Sequence, residues 1–198
     1  LSNKGRDLTQ LDHTYRAGGG KPFIEIGRNS GAYNGGFDVA NILNVLDPGA
    51  FSFFYVGYYN APSGAGVNGL MSIGNGTTNH MWIIAPWSDG NVYLGQGNLF
   101  TGGEVTCLGF PSLFDSTFHV WDFHRAGLNP ISYVDGAQVG AYTSTFAAPT
   151  LVASGADRCY MLGSNEYGGG YTRVRAALFY SRFLSTVERA QVRAYLAT

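Results

Sequence analysis

The chain has 198 residues, which is enough for one sizeable hydrophobic core and short for two full domains. Charged residues make up only 13% of the sequence, whereas the 29 glycines and the aromatic share of 15% are both high. This mixture favours short strands joined by tight turns and is unlike a helical bundle, which needs Ala, Leu, Glu and Lys. A net charge of −1 without a basic stripe argues against a nucleic-acid partner. No apolar run reaches the roughly 18 residues that membrane insertion requires.

The sequence predicts one domain over residues 1–198, because no linker and no internal repeat interrupts it. Residues 1–20 are polar and are predicted to form an irregular lead-in. Beyond them, Gly and Pro recur about every 8 to 15 residues, as expected of an all-β sandwich. The predicted strands span residues 22–26, 50–59, 70–74, 80–85, 91–95, 105–109, 117–125, 131–134, 138–142, 159–163 and 173–181.

Two of these strands carry the strongest patterns. Residues 50–59 are apolar on both faces, which predicts a central strand buried between two layers. In residues 117–125, Trp121 and Phe123 share one face, which is expected to point inward, and Asp122 lies on the opposite face.

The clearest turn and the clearest helix lie in the last third of the chain. Asp135-Gly136 is a hairpin signal between the strands 131–134 and 138–142. Ser185 followed by Glu188 forms a capping-box pattern, which predicts a short C-terminal helix. Val187, Ala190 and Ala194 share one side of this helix with the adjoining Tyr195, whereas Val192 and Leu196 lie on the other side, so the helix is not cleanly two-faced.

The two cysteines, Cys107 and Cys159, are 52 residues apart and form no C-x-x-C motif. A zinc site or a thioredoxin-like site therefore has no support. Two buried free thiols and one inter-strand disulfide both remain open, because a sequence does not give the separation of the two Cα atoms.

Several stretches together resemble one family. Residues 119–139 (HVWDFHRAGLNPISYVDGAQV), 160–185 (YMLGSNEYGGGYTRVRAALFYSRFLS) and 186–196 (TVERAQVRAYL) resemble its ordered motifs, as does the opening NKGRDLTQLD at 3–12. The family is the concanavalin A-like lectin/glucanase superfamily, in its laminin-G-like branch. The resemblance implies an all-β fold, an antiparallel two-sheet jelly-roll sandwich with one short C-terminal helix.

The sequence departs from the glucanases of this superfamily, which carry their carboxyl groups on one strand in an E-x-D-x-x-E pattern. Among the 13 acidic residues, no two lie within four positions on one predicted strand. The histidines show no H-E-x-x-H or H-x-H spacing, and His119 is interpreted as a core or rim residue. The expectation is therefore no enzyme and no catalytic residue, with a glycosidase or lyase as the disfavoured alternative.

Calcium is a weaker alternative that the resemblance suggests, since many lectins and laminin-G modules bind it through loop oxygens. The same Asp and Asn residues are also ordinary turn formers, so no metal site and no cofactor is expected. The loop residues in question are Asp89, Asn91, Asn98, Asp157 and Asn165.

Sugar binding by ring stacking is the remaining chemistry, with amide and carboxylate groups that bond the hydroxyls. Trp82, Trp121 and Phe123 are interpreted as core, because most rings must fill the interior. The candidate ligand-binding residues border loops and are Trp87, Asp89, Tyr93, Asn165, Glu166 and Tyr167.

The predicted function is a non-catalytic carbohydrate-binding or adhesion module. The alternative is a structural, decoration or fibre domain of a phage or other virion. The expected partners are a glycan or neighbouring protein subunits, including copies of the same chain in a homo-oligomer. The expected location is extracellular or on a virion surface.

Overall fold

The computed structural model describes residues 49–57, 117–127, 130–139 and 173–198 with their side chains, and the other strands by their backbone and pairing. One helix, α1, spans Thr186–Ala197. No helix in this described part of the chain is long and apolar enough to cross a membrane. The strands, in chain order, are β1 (Leu8–Leu11), β2 (His13–Arg16), β3 (Phe23–Ile26), β4 (Gly36–Ala40), β5 (Ala50–Tyr59), β6 (Gly69–Gly74), β7 (Asn79–Ile84), β8 (Val92–Gly95), β9 (Glu104–Leu108), β10 (His119–Ala126), β11 (Asn129–Val134), β12 (Ala137–Gln138), β13 (Ala141–Tyr142), β14 (Arg158–Met161) and β15 (Thr172–Tyr180).

The strands form two antiparallel sheets. The first has the order β1-β4-β14-β6-β7-β8-β9-β13, and the second has the order β12-β11-β10-β5-β15-β3-β2. All described strand pairs are antiparallel. The prediction of a mostly β, antiparallel chain that closes with one helix is therefore confirmed.

Strand β5 is the centre of the seven-stranded sheet, between β10 and β15. Its odd-numbered side chains lie on one face, here called the inner face, where Phe53 stacks near Phe123 and Tyr55 stacks near Trp121. All four of these side chains are fully buried. The predictions of a central strand at 50–59 and of an inward aromatic face on β10 are both confirmed.

The opposite side of this sheet, here called the helix face, is partly covered by α1. The helix begins with the predicted capping box: Glu188 N–H donates to Ser185 Oγ at 3.3 Å, and Ser185 N–H donates to Glu188 Oε2 at 2.9 Å. Immediately before the cap, Leu184 N–H donates to the buried Ser52 Oγ at 3.0 Å. This bond holds the start of the helix against β5.

Three sequence predictions differ from the structure. The lead-in at 1–20 contains strands β1 and β2, and β4 was not predicted at all. These strands are short, at four or five residues, and polar positions interrupt their apolar ones, so alternation alone did not reveal them. The predicted strand 138–142 is divided, because β12 pairs with β11 whereas β13 pairs with β9 in the other sheet.

The sequence did not indicate which side of the helix faces the sheet. Val187 and Tyr195 are 67% and 72% exposed, and Ala190 and Ala194 are exposed as well. The helix instead turns Arg189 toward the sheet, where this residue is buried. A buried charged side chain needs bonded partners, and the helix face supplies them.

The strand order decides the state of the two cysteines. Cys107 lies in β9 and Cys159 in β14, which are four strand positions apart in the eight-stranded sheet. Four strand spacings amount to about 19 Å. A disulfide requires Cα atoms within about 7 Å, so these two cysteines are not bonded to each other.

Candidate functional site

The helix face carries a buried polar cluster and, next to it, an open groove. In the cluster, Arg193 Nε donates to both oxygens of Asp122, at 3.1 and 3.0 Å. His124 Nε2 lies 2.6 Å from Asp122 Oδ2. Asp122 and His124 are both completely buried. This cluster therefore joins α1 to the middle of β10.

Burial lowers the pKa of His124, and this effect exceeds the opposing influence of the Asp122 carboxylate. The imidazole is therefore neutral at pH 7, with Nε2–H donating to Asp122, and its Nδ1 has no hydrogen-bond partner. Rings of Phe54, Tyr133 and Phe183 meet the imidazole edge-on. Since these side chains close the cluster to solvent, its role is to anchor the helix.

The groove begins at a β-bulge between β15 and β5. Val174 pairs with Gly57 and Ala176 pairs with Val56, so Arg175 is an extra residue without a partner position on β5. A bulge of this kind interrupts the alternation of side chains and redirects one of them. It leaves Arg175 exposed and places Ala176 on the helix face, beside Val56.

The guanidinium of Arg175 rests on the ring of Phe118, with Cζ 3.6 Å from the ring centroid. This is a close cation–π arrangement. No hydrogen bond or ion pair of Arg175 is found within the described residues. Its N–H groups are therefore held in a fixed orientation and remain available to a ligand.

The carboxylate of Asp135 lines the same groove and carries the opposite charge. Asp135 Oδ1 accepts from Val120 N–H at 2.9 Å, and Asp135 Oδ2 lies 2.6 Å from His119 Nδ1. These contacts fix the carboxylate, whose side chain is still 53% exposed. Asp135 and Gly136 have φ values of 50° and 82°, which fits the tight hairpin turn that the sequence predicted.

The groove has a volume of about 480 Å³ and lies between the sheet and the last turn of α1. Its apolar floor includes Val56, Val120 and Ala176. Tyr195, with an exposed ring, borders it on the helix side. The groove thus combines an apolar floor, an accessible ring, one cation and one anion, which are the elements of a small-molecule binding site.

The sequence did not predict this site. Tyr93 lies in β8, where its backbone pairs with Ile84 and Thr106, and its side chain lies outside the described residues. The other predicted ligand-binding residues lie outside the described residues altogether: Trp87, Asp89, Asn165, Glu166 and Tyr167. The calcium candidates Asp89, Asn91, Asn98, Asp157 and Asn165 lie outside them too.

A signal for the groove does exist in the sequence. The run Arg173-Val174-Arg175-Ala176-Ala177 breaks strict alternation at the bulge. The other contributors, Phe118, Asp135 and Tyr195, are far from it in sequence, so no local motif joins them.

The described residues contain three carboxylates, and each has a cationic or histidine partner. Asp122 binds Arg193, Asp135 contacts His119, and Glu188 binds Arg182. No group of three or more His, Cys, Asp and Glu residues in this part of the chain could hold a metal ion.

No family model and no curated protein sequence matches the chain. Solved structures do match. The botulinum neurotoxin serotype G binding domain has a TM-score of 0.65 at 8% identity, over 100% of this chain and 48% of that one. The binding domain of Paraclostridial Mosquitocidal Protein 1 has a TM-score of 0.68 at 13% identity, over 98% of this chain and 49% of that one.

A Trypanosoma rangeli sialidase in complex with sialic acid matches with a TM-score of 0.64 at 13% identity, over 98% of this chain and 30% of that one. The chain therefore spans about half of the toxin binding domains and under a third of the sialidase. At these identities the similarity is one of fold. The structural neighbours of this chain are thus toxin binding domains and sialidases, and it shares with them a β-rich fold.

Proposed function

We propose that this chain is a non-catalytic carbohydrate-binding module built on a two-sheet jelly-roll sandwich of the concanavalin A-like, laminin-G-like kind. The observation that carries the proposal is the groove at the end of α1, where the exposed ring of Tyr195 borders a cavity of about 480 Å³. This volume lies in the range of small-ligand sites. The complete burial of the inner-face rings of β5 and β10 supports the sandwich, since a second layer must cover them.

The groove suits a sugar because its parts match the two chemistries of a sugar. The C–H face of a pyranose packs on a ring, and Tyr195 is an aromatic residue that is 72% exposed. The hydroxyl groups need fixed acceptors and donors, and Asp135 and Arg175 supply one of each. Both are held by protein contacts before a ligand arrives, which reduces the entropy lost on binding.

The toxin binding domains among the structural neighbours support a role in recognition. Several are receptor-binding or binding domains of toxins. Another neighbour belongs to botulinum neurotoxin type C, whose cell entry depends on interaction with two ganglioside molecules. By analogy with these toxins, this chain acts outside the cell as an adhesion module that binds glycans.

A glycan array followed by isothermal titration calorimetry of the best oligosaccharide tests the proposal. We expect Tyr195→Ala to weaken binding about tenfold, since central aromatic contacts contribute more than about 1 kcal/mol. Tyr195→Phe keeps the ring and retains most of the affinity. Val187→Ala is the control, because Val187 is similarly exposed on α1 but does not line the groove.

The predicted loop residues provide the competing location for the same function. Trp87→Ala and Tyr167→Ala, measured with the same oligosaccharide, locate the ligand at the loops if they abolish binding while Tyr195→Ala does not. The absence of any array response would contradict carbohydrate binding. An assembly role would be favoured instead if light scattering also showed a stable homo-oligomer at micromolar concentration.

A further inference from the structure

We infer that the groove selects glycans that carry a carboxylate or sulfate group, and that Arg175 is the residue that binds this group. The inference rests on the proposed function and narrows it to one ligand class. It depends on the position of Arg175 in the strand pairing, on the absence of an ion pair of Arg175 within the described residues, and on the carboxylate of Asp135 in the same groove.

The pairing of β15 with β5 determines where the Arg175 side chain lies. Because Arg175 is the extra residue of the bulge, its side chain leaves the regular alternation of β15 beside the groove floor at Val56 and Ala176. Gly57 faces the bulge on β5, and a Cβ atom there would lie 2.7 Å from the ring of Tyr55 and 3.0 Å from the carbonyl oxygen of Arg173. The close approach of the two strands therefore requires glycine, which keeps the bulge in place.

Among the residues whose side chains the structure describes, Arg175 has an aromatic neighbour and no ion pair. The guanidinium lies 3.6 Å from the Phe118 ring centroid, and within the described residues no carboxylate or carbonyl accepts its hydrogen bonds. Stacking orients the plane of the guanidinium and leaves its edge free. That edge presents paired N–H donors in the geometry that matches the two oxygens of a carboxylate or sulfate.

The groove also carries a carboxylate, that of Asp135, which orients the ligand. Asp135 is fixed by Val120 N–H and His119, and its exposed carboxylate accepts hydrogen bonds from sugar hydroxyls. The same carboxylate repels a second anionic group. The favoured ligand is therefore an acidic sugar whose charged group points to Arg175 and whose neutral hydroxyls point to Asp135.

The test uses matched pairs of oligosaccharides. Cellobiouronic acid and cellobiose differ only in a carboxylate that replaces one hydroxymethyl group, and lactose 6-sulfate and lactose differ only in the sulfate. Further acidic and neutral pairs are taken from the array. We expect the wild-type chain to bind the acidic member of at least one pair at least tenfold more tightly, because a charge-assisted hydrogen bond contributes about 1.5 kcal/mol or more.

Arg175→Gln is expected to remove this preference and leave the affinity for the neutral member within about twofold. Arg175→Lys keeps the charge but loses the planar fork, so it restores only part of the preference. Arg182→Gln is the charge-matched control, because Arg182 is exposed and pairs with Glu188 away from the groove. Circular dichroism confirms that each variant is folded.

The outcomes separate the two proposals. Equal binding of acidic and neutral partners, with loss in Tyr195→Ala, overturns the anion inference and leaves carbohydrate binding intact. A preference for acidic partners that persists in Arg175→Gln also overturns the inference, because another cation then supplies the contact. Binding of free sulfate alone, without any oligosaccharide response, contradicts both proposals.

Discussion

Replacing Arg193 with methionine tests whether the buried cluster anchors the C-terminal helix. Arg193 bonds both oxygens of Asp122 through Nε, and Asp122 has no access to solvent. Methionine keeps most of the aliphatic stem that packs over Tyr133, whose ring lies 4.2 Å from Cζ of Arg193. The substitution thus removes the charge and the hydrogen bonds while it preserves the hydrophobic contact.

The magnitude follows from the environment of Asp122. Breaking a buried ion pair from one side costs about 3 to 5 kcal/mol, since an uncompensated charge remains inside. Arg193 retains 17% exposure, and His124 still donates to the carboxylate, so the lower end of that range applies. A loss of about 3 kcal/mol lowers the melting temperature of a chain of this size by about 6 to 12 °C.

Guanidinium chloride unfolding, followed by circular dichroism and by Trp fluorescence, measures the loss. The control is Arg182→Met in the connection between β15 and α1, whose ion pair with Glu188 is exposed and therefore contributes much less. The double variant Arg193→Met with Asp122→Asn also removes the buried carboxylate that Arg193→Met alone leaves without its cation. It should be more stable than the sum of the two single losses predicts, by about 2 kcal/mol or more.

Two results would refute this reasoning. If Arg193→Met costs no more than Arg182→Met, the buried pair does not hold the helix. If the losses of Arg193→Met and Asp122→Asn simply add, the two residues contribute independently, and the short distances between them have no energetic consequence.

Three further predictions concern neighbouring contacts. Gly57→Ala should destabilise the fold by about 1 to 3 kcal/mol in chemical unfolding, because its Cβ would meet a buried ring and a backbone carbonyl. Ser185→Ala should cost about 1 kcal/mol in the same assay by removing the helix cap, and a loss near zero would show that Glu188 alone is enough. The pKa of His124 is lowered in the folded state, so unfolding takes up a proton and the melting temperature should fall as pH drops below about 6.5. His124→Gln should flatten this decline, although Asp122, Arg189 and Arg193 face the same imidazole and set its size.

Much of the fold could be predicted because it depends on local pattern. Strand β5 was recognised from ten residues that are apolar on both faces, and α1 from a capping box of four residues. Both signals lie within one element. The strands β1, β2 and β4 were missed because each is short, and their pairing comes from distant partners that a linear reading does not bring together.

The position of the helix was predicted, but its buried side was not, for a physical reason. An apolar stripe normally faces the core, and the apolar residues of α1 lie on two sides, so the pattern favours neither. The sheet beneath the helix presents Asp122, however, and a buried carboxylate favours arginine over valine as its neighbour. Hydrophobic periodicity does not record the charge of the opposite surface, so the buried side is read only from the assembled fold.

The groove, too, could not be predicted from local sequence patterns. Sequence reasoning looked for ligand residues in loops, where Trp87 and Asn165 stand among turn formers, because loops commonly carry function. The groove instead is assembled from a strand bulge, a hairpin turn and the last turn of a helix. These elements are far apart along the chain, so no sequence window contains the site.

The bulge also ties the groove to the core of the sheet. Gly57, opposite the bulge, accepts a hydrogen bond from Trp121 Nε1 at 3.3 Å, and Trp121 is fully buried against Tyr55. Arg175 is therefore held on one side by Phe118 and on the other by a backbone that the core fixes. Rigid elements hold a binding group more accurately than loops do, because fewer of its orientations must be given up when the ligand arrives. The same aromatic core that stabilises the sheet thus holds the exposed Arg175 in place for the ligand contact that we propose.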